Sequence, residues 1–154
     1  MGSVCELTSG VCMAWPLPAD ASCAATARRL YRTAAAAVGL GAGLAYDGIT
    51  MASELAANTL HAAGPGGRSE FWLYLRGGGV SRELVCEVFD PSPGWSSGFA
   101  PVPVPAPPEA TSGRGLQVVH DLSGGRWGHH LTCSRLGRPS CDGKVVWFAL
   151  PAPF

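Results

Sequence analysis

The run from Asp47 to Ala62 constrains this chain more than any other feature. It reads as one helix that is apolar or small almost all round and yet carries a single polar stripe. Ile49, Met51, Ala52, Leu55, Ala56 and Leu60 predict that the helix is buried. Glu54 and Asn58 are four residues apart and His61 follows three later, so all three project from one face, and Asp47 and Thr50 extend the line. Buried polar groups must find partners, and a bound ligand would supply them. Two further polar clusters follow, Asp90-Pro91-Ser92-Pro93 and Gly113-Arg114-Gly115-Leu116. Three such clusters in this order predict a site assembled from separate segments.

Residue type gives the elements around that helix. Val11 to Trp15 reads as a first strand, stopped by Pro16 and Pro18. Asp20 is placed to cap a helix over Ala21 to Val38, in which Leu30, Ala34 and Val38 recur at four-residue spacing and Gly39 sits at the end. Gly64-Pro65-Gly66-Gly67 stops the second helix. Phe71 to Leu75 and Leu84 to Phe89 are rich in aromatic and branched residues and flank Gly77-Gly78-Gly79, which predicts a hairpin. Pro91 to Ser112 is dense in proline and fits neither helix nor strand; a loop this long within a compact domain is usually functional or disordered. Leu116 to Leu122 predicts a third short helix. Trp127 to Ser134 and Lys144 to Leu150 predict two more strands, joined by a turn rich in Gly, Pro, Ser and Asp. Strands segregated from a few helices imply an α+β fold, a two-layer sandwich with a mostly antiparallel, mixed sheet and helices on one face. Residues 11–154 form the single domain, behind a flexible N-terminus of residues 1–10.

Composition narrows the partners. The chain has 154 residues, 47% of them hydrophobic, and no formal net charge at pH 7, which argues against disorder and against an electrostatic grip on nucleic acid or anionic lipid. Lys144 is the only lysine. No apolar run approaches the ~20 residues of a membrane span, and the N-terminus lacks a basic start with an apolar signal core, so a cytoplasmic protein is expected. Six cysteines without an export signal are expected to be reduced thiols. His129, His130, Cys133 and Cys141 could be drawn into a zinc site, but there is no C-x-x-C pair, and neighbouring histidines on a strand point to opposite faces. Structural thiols are the preferred reading.

With these residues laid out, the chain resembles the GHKL ATPases, the superfamily joining gyrase, the heat-shock chaperone, histidine kinases and the mismatch-repair ATPase. The nearest match is the small anti-sigma-factor branch of single-domain serine-protein kinases. The resemblance rests on five motifs in order: Leu17-Pro18-Ala19-Asp20 entering helix one, Glu54-Leu55-Ala56-Ala57-Asn58 with His61, Asp90 to Pro93, Gly113 to Leu116, and Gly143-Lys144-Val145-Val146-Trp147-Phe148. Alone, each has an ordinary explanation: Asp90 in a turn, Glu54 on a solvated helix face, His61 at a helix C-terminus. Their joint order carries the likeness. Trp127 and Trp147 are expected in the core.

The resemblance implies the GHKL (Bergerat) fold, ATP and Mg²⁺ as ligands, and a role for each motif. Asp90 would accept a hydrogen bond from the adenine amino group, which guanine's carbonyl could not provide. Asn58 would give Mg²⁺ a neutral oxygen, most of the other ligands being phosphates and water. Gly113 and Gly115 would admit phosphates to the start of helix three, with Arg114 adding charge and Leu116 completing the motif. Ser92, Gly94 and His61 would border the nucleotide, and residues 92–112 would form the ATP lid. Glu54 would be the general base that takes the proton of a substrate serine. The implied partners are a sigma factor and an anti-anti-sigma protein of the STAS fold, with homodimerisation through helix one and the first strand. A non-catalytic binding module of the same fold is the alternative. The chain departs from the family at three places. His61 falls three residues after Asn58 rather than the usual four, and Ser92 replaces the first glycine of the adenine loop. Val145 stands where Thr commonly reaches the adenine through water, so a loss of ~1 kcal/mol in ATP binding is expected.

Overall fold

The computed structural model describes residues 12–63, 67–92 and 115–153. The expected N-terminal segment 1–10, Gly64 to Gly66 of the turn, and residues 93–112 of the expected lid lie outside the described residues.

The chain forms β1 (Met13–Pro16), α1 (Cys23–Val38), α2 (Ala42–Ala63), β2 (Glu70–Arg76), β3 (Glu83–Asp90), α3 (Gly115–Leu122), β4 (Trp127–Cys133) and β5 (Asp142–Pro151). The strands make one five-stranded sheet in the order β1-β2-β3-β5-β4. Every pairing among the described residues is antiparallel, so the expected mixed character is not found. The reason lies in the connection. α3 carries the chain from β3 to β4, which run in the same direction, but β5 returns between them, so no parallel pair forms.

Alternation along the strands sorts side chains onto two faces. Opposed residues such as Leu73, Cys86 and Phe148, or Phe71, Val88 and Val146, share the face covered by α1 and α2 and join one core with Tyr31, Ala34, Met51 and Leu55. This is a two-layer α+β arrangement. The other face is not bare. Trp72, Phe89 and Val145 are buried there, and the β4–β5 loop folds over them. Glu70 holds that loop: its carboxylate accepts bonds from Trp72 Nε1 (3.1 Å), Ser134 Oγ (2.6 Å), Arg135 N (2.9 Å) and Leu136 N (3.0 Å). The Arg135 guanidinium lies 4.7 Å from the Trp72 ring centroid, a cation–π contact that closes the cover. Further along this face Glu87 accepts from Tyr74 Oη at 2.9 Å, and Glu83 pairs with Arg76 at 2.9 Å and with Arg126.

Several boundaries differ from expectation. α1 starts at Cys23 with Ser22 as its N-cap, and Asp20 instead accepts bonds from Ser22 N and Oγ. Gly39 ends α1 as predicted, at φ 76°, where the left-handed backbone favours glycine. α2 begins at Ala42, five residues before Asp47. Trp147 lies on the face away from the helices, half-buried beneath Arg76, whose guanidinium is 5.1 Å from its ring. Trp127 packs at the core margin and donates to His120 Nδ1 at 3.1 Å.

Tyr31 shows how tightly α1 and α2 pack. It is fully buried, its ring is 5.6 Å from that of Phe148, and it lies against Gly48 of α2. Its hydroxyl has no hydrogen-bond partner, and burial pushes the phenol's pKa well up. An unmade buried hydrogen bond costs stability, so Tyr31→Phe should leave stability unchanged or raise it by up to about 1 kcal/mol in urea unfolding. A loss of more than that would refute the unpaired hydroxyl.

Among the described residues no helix is long and apolar enough to cross a membrane. The five described cysteines are free thiols, and Cys133 Sγ donates to Asp142 Oδ1 at 3.3 Å. His129 and His130 fall opposite Val146 and Val145, on opposite faces of the sheet.

Candidate functional site

α3 meets α2 at its first residue, and that meeting joins two of the three polar clusters. A Cβ placed on Gly115 would stand 3.1 Å from Glu54 Oε2, 3.1 Å from Asn58 Nδ2 and 3.4 Å from Asn58 Oδ1. Only glycine leaves both side chains undisturbed there. The first N–H groups of a helix lack partners within it, and the positive end of the helix dipole favours anions. Glu54 and Asn58 therefore share their surroundings with a set of backbone donors suited to phosphate. Their own exposure corrects the expectation from the sequence: Glu54 is half-buried and Asn58 exposed, so the polar stripe runs along the rim of the helical layer. α2 buries Met51, Ala52, Leu55 and Ala56 between its neighbours and turns the stripe toward the start of α3.

Glu54 also borders a cleft of about 530 Å³ between α1 and α2, lined by Arg28, Arg32, Tyr46, Thr50 and Ser53. Arg28 Nη1 donates to Ser53 Oγ at 2.8 Å across the helix pair. Tyr46, which lines the same cleft, is 71% exposed.

The remaining predicted residues are distributed differently. His61 is exposed in the last turn of α2. Leu116 is partly buried and packs against the core. Gly94, Gly113 and Arg114 lie outside the described residues.

Asp90 ends β3 and is 5% exposed. Its Oδ1 accepts bonds from Ser92 N at 2.8 Å and from Ser92 Oγ. Its Oδ2 lies 3.4 Å from Lys144 Nζ, and that ammonium donates to Ser92 O at 3.1 Å. Lys144 sits directly opposite Asp90 in the β3–β5 register and is equally buried. A cleft of about 480 Å³ opens beside them, bordered by Pro91, Ser92, Leu131 and Gly143. That volume lies within the range of small-molecule sites.

The same register overturns the expectation for Val145. It pairs with Phe89 and is buried with Trp72 on the face away from Asp90, so its methyls replace no hydroxyl near that carboxylate. Lys144 is the side chain of β5 that meets Asp90. The sequence held a signal for this residue: it is the chain's only lysine, and an antiparallel return from Asp90 brings position 144 opposite it.

No protein-family model matches the chain, and no curated protein matches it.

Proposed function

We propose that this chain is an ATP- and Mg²⁺-dependent serine-protein kinase of the GHKL anti-sigma-factor type, which binds a sigma factor and phosphorylates a STAS-type antagonist. The observation that carries the reading is the convergence of Glu54, Asn58 and Gly115 from segments more than fifty residues apart in sequence. A carboxylate, an amide oxygen and a helix start at glycine are the parts that phosphoryl transfer to a hydroxyl requires. The donor set fits the implied ligands: Asn58 Oδ1 would hold Mg²⁺, and the side-chain-free start of α3 admits phosphate oxygens. Bound Mg²⁺ would neutralise charge on the phosphates.

Glu54 would then accept the hydroxyl proton of a serine as its oxygen attacks the γ-phosphorus and ADP leaves. The partner's serine would approach through the α1–α2 cleft that Glu54 borders. Asp90 would read the base from the end of β3, beside the cleft bordered by Ser92 and Gly143.

A second reading, a non-catalytic module in which nucleotide only stabilises a partner-binding form, draws support from Asp90, whose carboxylate already has partners in Ser92 and Lys144. Calorimetric titration with Mg-ATP tests the nucleotide reading. Saturable binding that weakens at least about tenfold in Asp90→Asn is expected. Absence of binding at millimolar ATP refutes it.

A further inference from the structure

We infer that Lys144 is a specificity-determining residue that lets the base-reading end of this site accept a 6-oxopurine such as guanine as well as adenine. The inference rests on the nucleotide reading above and starts from the buried pair. A carboxylate alone offers only acceptors. It suits the amino group of adenine and repels the carbonyl oxygen of guanine. Here the carboxylate does not stand alone. Ser92 N and Oγ tie down Asp90 Oδ1 and fix the plane of the group, leaving Oδ2 as the oxygen turned toward Lys144 Nζ, 3.4 Å away. This end of the site therefore presents an acceptor and a donor side by side.

Read around the ring in one direction, both purines offer an acceptor followed by a donor, displaced by one position. Adenine carries the N7 acceptor beside its amino donor. Guanine carries a carbonyl acceptor beside a ring N–H donor. A neighbouring acceptor and donor can satisfy either edge with a small lateral shift of the base. The ammonium supplies its bond by exchanging the one it makes to Ser92 O, a contact to backbone that a base oxygen or nitrogen can replace. Burial gives the arrangement its force: Asp90 and Lys144 are each 5% exposed, so a base group left facing the wrong partner has little water to turn to.

The test is titration of the full chain with Mg-ATP, Mg-GTP and Mg-ITP. ITP keeps guanine's carbonyl and ring N–H but lacks its 2-amino group, which separates this edge from any clash elsewhere on the base. The wild-type protein should bind ATP and ITP with dissociation constants within about fivefold of each other. Lys144→Met should weaken ITP relative to ATP by at least about tenfold, because the carbonyl then faces a carboxylate with no donor beside it. Lys144→Arg, which keeps charge and donors, should retain ITP binding, and thermal melts of both variants check that they fold. Wild-type preference for ATP over ITP above about tenfold overturns the inference while leaving the nucleotide reading intact. An unchanged ITP-to-ATP ratio in a folded Lys144→Met variant also overturns it. Failure of all three nucleotides to bind overturns both.

Discussion

Alanine at position 48 is expected to cost about 3 kcal/mol, lowering the melting temperature by roughly 6–12 °C for a domain of this size. The sign is what makes the result informative. In an exposed helix interior, replacing glycine by alanine gains roughly 1 kcal/mol of helix propensity. Here the added methyl would fall inside the van der Waals envelope of Tyr31 Cε1, Cζ and Oη, and Tyr31 is fully buried against Phe148. The ring has no room to retreat, so overpacking outweighs propensity. Urea unfolding of Gly48→Ala, Tyr31→Leu and the double variant gives the coupling. Removing the ring should recover at least half of the cost of Gly48→Ala. A stabilised Gly48→Ala protein would refute the close approach of α1 to α2.

Glu54→Gln is expected to lower phosphotransfer to a serine-bearing partner by at least about a hundredfold while changing the dissociation constant of Mg-ATP by less than about threefold. Glutamine preserves the shape beside Gly115, so the helix start keeps a polar neighbour. What it lacks is a group able to take the serine proton. Single-turnover transfer from labelled ATP, measured beside a binding titration, separates the two quantities. Wild-type transfer by Glu54→Gln would remove Glu54 from the chemistry. A parallel loss of binding would make it a structural partner of α3.

Much of the framework was legible in the sequence because period and composition agreed. The strands β2 and β3 carry aromatic and branched residues around a glycine turn, and they pair as predicted. The start of α2 was not legible. Gly41, Gly43 and Gly48 weaken the helical signal locally, and it is the contact between Gly48 and Tyr31, on successive helices, that accounts for glycine at position 48. The role of Glu70 was hidden for a related reason: its partners Ser134, Arg135 and Leu136 lie more than sixty residues away in a loop with no periodicity. The grouping of Glu54 with Asn58 followed from four-residue spacing. Gly115 followed from its motif, but its distance to both required the packing of α3 on α2. Position 145 was misplaced because likeness by motif ignores which face a strand residue occupies. A single step along β5 separates the side chain beside Asp90 from the one beside Trp72.

That alternation also protects the sheet from misalignment. All eight residues of β3 are buried, with Leu84, Cys86 and Val88 turned toward the helices and Glu83 and Glu87 turned away. An offset of one residue would drive both carboxylates into the space around Tyr31 and Leu55 and strand Arg76, Arg126 and Tyr74 without their acceptors. Uncompensated charge in that interior costs several kcal/mol per group, comparable to the whole stability of a domain. The ionic contacts on the far face thus act less as glue than as a proofreading device, making the mispaired sheet too unstable to persist.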